Sequence, residues 1–287
     1  MDARDQYLIE PGELAGLLQD PTLRLFDATV LFRTSDAGLV AESGIDAYRT
    51  AHIPGAAFFD HMDAFADTTS ELRNTLLSVP ELHAAMGAAG IGANDQVVVY
   101  SSQYLMWATR AWWMLHYAGH AQVRVLNGGL GAWQAQGGAV EAGESVYPAT
   151  TFQAAPRANR YVDRATVRAA IGDASTCTID ALPEASFVGT AAHNYGRPGH
   201  IEGALNLPFG ALQAEEAFLP TAQLQQALDA RGMLARPRVI TYCGGGIAAT
   251  VDAMACLLCG QDNVAVYDGS LSEWSQDPTA PMATGAV

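Results

Sequence analysis

Short runs of consecutive apolar residues alternate along this chain with longer stretches in which apolar residues recur at helical spacing. The runs at 96–100, 123–126, 238–242 and 264–267 are four or five residues long and apolar on both faces. That is the pattern of strands buried in a parallel sheet. The stretch at 80–89 opens on a proline and stops at Gly90, and the one at 105–117 stops near Gly119. The stretches at 221–231 and 247–259 stop at Gly232 and Gly260. Proline suits a first helical turn and glycine a helix C-terminus. Strands alternating with helices predict an α/β fold: a mostly parallel sheet with covered faces, whose ligands sit beyond the C-terminal strand ends.

The pattern occurs twice. Leu23 to Ala28 is echoed by Cys177 to Ala181, and His52-Ile53-Pro54-Gly55-Ala56 by His200-Ile201-Glu202-Gly203-Ala204. Val97 to Ser101 is echoed by Val239 to Cys243, and Val125 to Trp133 by Val266 to Trp274. Matches in the same order at slowly drifting spacing indicate two duplicated domains, since solenoid periods are far shorter. The expected boundaries are 1–137, a linker rich in small residues and proline at 138–159, and 160–287.

Candidate chemistry concentrates at one strand end. Tyr242 is followed by Cys243, then Gly244, Gly245 and Gly246, then Ile247 and Ala248 at the start of a helical stretch. A helix N-terminus gathers unpaired N–H donors, and a Gly-rich turn can fold them into an anion-binding hollow. A cysteine there is expected to ionise more easily than a free thiol and to act as a nucleophile. Two other readings stand beside this one. Cys243 could be a buried packing thiol. The segment 244–249 also spells G-x-G-x-x-A, with Asp268 about 20 residues on, which fits a dinucleotide-binding turn. Against the latter, the motif opens the last βαβ of the chain, where few strands remain to complete a nucleotide site.

Charge and composition narrow the partners. Thirty acidic residues against fifteen basic ones give a net charge of −15. That excludes nucleic acid and anionic membrane surfaces as natural partners and requires a local field for any anionic substrate. No uncharged apolar run reaches the length of about 20 residues that a membrane helix needs. The opening residues 1–5 are polar, so no signal peptide is visible, and a cytoplasmic protein is expected. Four cysteines do not make a disulfide framework in a chain of 287 residues. Cys256 and Cys259 form a C-x-x-C near a helix C-terminus, where packing rather than redox chemistry is expected, and no second pair completes a metal site.

Taken together, HIPGAAFFD at 52–60, RAWWMLHYAGH at 110–120, VLNGGLGAW at 125–133, PGHIEGALNLPF at 198–209, YCGGGIAAT at 242–250 and YDGSLSEW at 267–274 resemble the two-domain sulfurtransferases of the rhodanese family. The resemblance runs from about residue 7 to residue 283. It implies two tandem rhodanese-like domains with the active site between them. It also implies a silent N-terminal copy, here with Ser101 at the cysteine position. The implied chemistry is a Cys243 persulfide that carries a sulfane sulfur from a small anionic donor, 3-mercaptopyruvate or thiosulfate, to a thiol or cyanide, without a cofactor. The loop C-G-G-G-I-A is closer to the mercaptopyruvate pattern C-G-S-G-V-T than to the cationic C-R-K-G-V-T pattern. The hydroxyls of the former are absent at Gly245 and Ala248. One arginine that grips the substrate carboxylate in the family falls at Ser186, and the other in a shorter loop where Arg197, with His193 and Asn194, is the candidate replacement. A low-turnover persulfide carrier or redox-sensing thiol is the alternative that these departures favour.

His52 is a further candidate for proton handling, and Arg110 for holding a carboxylate or sulfonate. Beside these stand bland readings: a histidine at a turn, for His200 above all, and a structural arginine. Trp112, Trp113, Trp133 and Trp274 are expected in the core. The oligomeric state is left open, a monomer included.

Overall fold

The structure, a computed structural model, describes residues 3–35 and 38–286. Of the polar opening, Met1 and Asp2 lie outside the described residues. The chain divides into two compact units. One holds Met1–Thr69, Leu76–Arg157 and Glu215–Ala217; the other holds Ser70–Thr75, Ala158–Ala214 and Phe218–Val287.

The first unit is built on a five-stranded sheet in the order Leu8–Ile9, Val123–Leu126, Gln96–Tyr100, Leu23–Asp27, Ala57–Phe58. Every neighbouring pair in it is parallel. The second unit has the same topology, in the order Tyr161–Val162, Val264–Tyr267, Arg238–Tyr242, Thr176–Asp180, Leu205–Asn206, again all parallel. The repeated sequence segments occupy matching places, so Gln96–Tyr100 and Arg238–Tyr242 are the central strands of their sheets. The fold is two tandem α/β domains, each a largely parallel sheet flanked by helices.

Helix Leu105–Tyr117 follows the first central strand and is buried from Leu105 through His116. This explains the apolar composition of that stretch: its tryptophans fill the core, and the Trp112 indole donates to the Val123 carbonyl at 2.7 Å. The corresponding helix of the second unit, Ala249–Leu258, is buried at every position. Helix Val79–Ala88 is closed by a capping box between Ser78 and Glu81. Helix Thr221–Asp229 ends two residues before the expected 231.

Two features differ from the even partition expected from the sequence. Residues 138–157 do not hang free but lie along the first unit, with bridges His52↔Glu141 and Ala57↔Ser145 and a Thr150 N–H to Gly87 carbonyl bond of 2.8 Å. Segment Ser70–Thr75 belongs to the second unit and Glu215–Ala217 to the first.

Candidate active site

The central strand of the second unit ends at Tyr242, and the chain then curls around the sulfur of Cys243 before helix Ala249–Leu258 begins. The expected helical start at 247 is displaced by two residues because 244–248 form this curl. The N–H groups of Gly245, Ile247 and Ala249 are directed at the sulfur. Gly246 has φ +75°, and a Cβ there would sit 2.6 Å from the Asp268 carbonyl oxygen. Only glycine permits that turn. Gly244 is required for a different reason: a Cβ on it would meet the Tyr195 ring at 2.0 Å.

Ser270 and Ser272 hold the curl from outside. The Ser270 hydroxyl accepts from the N–H groups of Cys243 (3.1 Å) and Gly246 (3.0 Å) and donates to the Tyr267 carbonyl (2.8 Å). Ser270 does so at φ +49°, a conformation costly for a side chain with a Cβ. Ser272 donates both its N–H (2.9 Å) and its hydroxyl (2.7 Å) to the Gly244 carbonyl. The Thr241 hydroxyl donates to the Ala249 carbonyl at 2.9 Å.

The expected easy ionisation of Cys243 is corrected by the structure. The residue is 2% exposed, and burial pushes its thiol above the ordinary value despite the three N–H groups that favour the thiolate. Desolvation outweighs the amides, and the nearby Asp180 carboxylate adds to the penalty. Asp180 is itself pushed up to about 7 by burial, although it accepts from the Leu182 N–H at 2.9 Å. The sulfur is therefore cradled, with burial opposing its ionisation and the amides favouring it.

The sequence-derived loop residues divide the work unevenly. Gly245 and Ile247 present N–H groups to the sulfur, whereas the Gly246 N–H goes to Ser270 and the Gly244 carbonyl to Ser272. Ala249, one residue past the expected set, also presents its N–H to the sulfur. Because these amides face sulfur, they are not presented to a pyrophosphate, which removes the basis of the dinucleotide reading.

The other candidates are placed as follows. Ser186, His193, Asn194 and Arg197 line one recess together with Tyr195, but its free volume is about 10 Å³, room for a water at most. The Arg197 guanidinium is spent on backbone carbonyls: Ser275 at 3.2 Å, Trp274 at 3.3 Å, Asp277 at 2.9 Å and Ala280 at 3.0 Å. The expectation that Arg197 grips a substrate carboxylate is thus corrected to a structural anchor. His52 is 1% exposed, stacked on Tyr48 at 4.2 Å, with Nδ1 2.7 Å from the Tyr48 carbonyl. His200 repeats the arrangement on Phe187. Both satisfy backbone through Nδ1 at equivalent turns, and the buried Nε2 of His52 lies 3.5 Å from the Glu141 carboxylate, so the ring is held between a carbonyl and a carboxylate of its own unit. Arg110 is 1% exposed inside the first unit, beside His61, whose pKa falls to about 3 through burial and the guanidinium charge. Arg110 is not available to a solvent-borne anion. Cys256 is fully buried and Cys259 is pushed up to about 11 by burial, as packing thiols. Among the described residues no group of three or more His, Cys, Asp or Glu is placed to hold a metal ion. No helix among them is long and apolar enough to cross a membrane.

The first unit shows what the loop looks like without its chemistry. Ser101 stands at the cysteine position, and its hydroxyl accepts from Gln103 and Tyr104 N–H groups at 3.4 and 3.3 Å. The N–H of Leu105, at the start of the long helix, is taken by the Glu216 carboxylate at 2.5 Å. The counterpart of Ser270 is Gly129, so the tether is missing as well.

Comparison with known proteins agrees with this geometry. The rhodanese-like domain family matches twice, at residues 10–136 and 163–277. SseB of Mycobacterium tuberculosis is 37% identical over 294 residues, covering all of both chains. Thiosulfate/3-mercaptopyruvate sulfurtransferase 2 of Arabidopsis thaliana is 35% identical, over 83% of this chain and 76% of its own length. The crystal structure of SseA, a 3-mercaptopyruvate sulfotransferase of Escherichia coli, superposes with a TM-score of 0.82 at 31% identity, over 92% of this chain and 98% of that one. The chain, with its cradled sulfur and a twin loop that carries Ser101 in place of the cysteine, therefore belongs to the rhodanese family, as a two-domain rhodanese-fold sulfurtransferase.

Proposed function

We propose that Cys243 is the residue that carries the sulfane sulfur, taken from a small anionic donor, 3-mercaptopyruvate or thiosulfate, and passed to a thiol or cyanide. The observation that supports this most is the set of three N–H groups, of Gly245, Ile247 and Ala249, directed at one sulfur. They stabilise a thiolate and, after transfer, the terminal sulfur of a persulfide. In the first step the Cys243 thiolate attacks the outer sulfur of the donor. With 3-mercaptopyruvate the C–S bond breaks and its electron pair leaves as the enolate of pyruvate, which takes up a proton. With thiosulfate the S–S bond breaks and sulfite leaves. In the second step cyanide attacks the outer sulfur and departs as thiocyanate, or a thiolate takes it as a new persulfide, and the Cys243 thiolate is restored.

Both donors are carried because relatives are named for both. The absence of a cation at 244 and 245 removes help that a dianionic donor would gain from the loop, which favours 3-mercaptopyruvate. The test is intact mass after incubation with each donor. A gain of one sulfur, reversed by cyanide and absent in Cys243→Ser, is expected, and no gain with either donor overturns the reading. The second reading is a slow persulfide carrier, favoured by the 2% exposure of Cys243. Stable loading with negligible transfer to cyanide or thiols would establish it instead.

A further inference from the structure

We propose that Arg73 and Tyr195 form the anion-recognition site that serves Cys243. This rests on the sulfur-transfer reading for the identity of the ligand, a small carboxylate or oxyanion bearing a transferable sulfur, but not for the existence of the site. With a net charge of −15 the protein repels anions at long range, so a donor needs a local cation. The two arginines that sequence suggested for this neighbourhood do not supply one, because Ser186 occupies one position and Arg197 is bonded to four carbonyls.

Arg73 does. It comes from segment Ser70–Thr75, which packs as part of the second unit. It lines two hollows: one of about 370 Å³ that reaches Gly245 of the cysteine loop and Ser272, the other of about 530 Å³ with Tyr195 and Ser272. Both suit a small ligand. Arg73 is exposed and has no ion pair or hydrogen bond among the described residues, so its planar fork of donors is open to a carboxylate.

Tyr195 is the second member. Its ring lies directly over the Cα of Gly244, the residue after the sulfur. Its hydroxyl has no hydrogen-bond partner among the described residues. Tyr195 is 43% exposed; partial burial of its ring, ahead of the charges of Cys243 and Asp180, raises the phenol above its ordinary value, so it remains a donor throughout the working pH range. A ligand held by Arg73 and by this hydroxyl lies beside Gly244, one residue from the sulfur. Glu71 lines the same hollow and Asp163, Asp268 and Glu273 line the other, so an anion is opposed by acidic neighbours in both and depends on the Arg73 fork.

The test uses two alkylating reagents of the same size on the full chain: iodoacetate, which is anionic, and iodoacetamide, which is neutral. Modification of Cys243 is followed by peptide mass. Arg73→Gln is expected to slow iodoacetate about tenfold, the loss of one charge-assisted bond, and to leave iodoacetamide within about twofold. Tyr195→Phe is expected to slow iodoacetate about threefold, and Glu71→Gln to speed it. An iodoacetate-to-iodoacetamide ratio unchanged within about twofold in either Arg73→Gln or Tyr195→Phe overturns the pair, as does a wild-type Cys243 that reacts with neither reagent. If the ratio behaves as expected while no donor loads sulfur, the sulfur-transfer reading falls and the anion site stands.

Discussion

The Ser270 hydroxyl sits 3.1 Å from the Cys243 N–H and accepts its hydrogen bond, from a residue held at φ +49°. The strained backbone and the tether belong together. At the matching place in the first repeat, Gly129 has φ +55° without a side chain, and Ser101 stands where the second repeat has its cysteine. Ser270→Ala keeps the strain and orphans two buried N–H groups, at about 1–3 kcal/mol for each unsatisfied group. Ser270→Gly relieves the strain but loses the same tether. The glycine variant is therefore expected to melt higher than the alanine variant. Both are expected to load sulfur about tenfold more slowly, the equivalent of about 1.4 kcal/mol of lost orientation. Wild-type loading rates in Ser270→Ala would show that the tether does not orient the loop.

The pH dependence of Cys243 should differ from that of an exposed, activated thiol. Burial raises the thiol above its ordinary value of 9.0, so the thiolate fraction still grows beyond pH 9. Iodoacetamide reactivity is expected to climb without a plateau between pH 6 and pH 9 or so. Asp180, pushed up to about 7, ionises inside that range and opposes the thiolate. Asp180→Asn removes that opposition and should shift the profile to lower pH. A wild-type plateau below pH 7 would show that the amides outweigh burial after all.

The sheets were readable from sequence because their strands are short, mostly apolar runs that occur twice, so each copy checks the other. The cysteine loop was readable because a strand, one sulfur and three glycines leave few alternatives. What could not be read was set by tertiary contacts. Ala249 joins the donors because the helix begins only there, after the turn at Gly246. The fate of Arg197 depends on carbonyls about 80 residues away, and the raised thiol depends on burial that no local pattern encodes. Ser270 did leave a trace: a serine opposite Gly129, between the matched glycine and leucine of the repeat.

Arg197 supports the fold rather than the ligand. Its four carbonyl partners, Trp274, Ser275, Asp277 and Ala280, tie the loop before His200 to the end of the chain. Arg197→Ala is expected to cost at least about 2 kcal/mol of stability, and Arg197→Lys to restore little of it, since an ammonium cannot span the same fork. KM for an anionic donor should change less than about threefold in preparations that remain folded, well under the tenfold that loss of a direct charged contact gives. A tenfold rise in KM with an unchanged melting temperature would return Arg197 to the binding site.

Asp252 carries a cost within the helix behind the sulfur. It is 0% exposed, and neither carboxyl oxygen has a hydrogen-bond partner. Burial, with the nearby Asp180 charge adding to it, pushes its pKa well above 3.8, so the folded protein keeps it neutral. The folded state then binds a proton that the unfolded chain gives up above about pH 4. Its stabilising proton is fully held in both states below that pH, and stability falls as pH rises, by up to about 1.4 kcal/mol per pH unit until the folded group titrates. Asp252→Asn cannot ionise and escapes this loss. The variant should melt close to wild type at pH 4 and clearly above it at pH 8, as followed by circular dichroism. The opposite ordering, with Asp252→Asn less stable at pH 8 than at pH 4 relative to wild type, would mean that the carboxylate is ionised and partnered in the native protein.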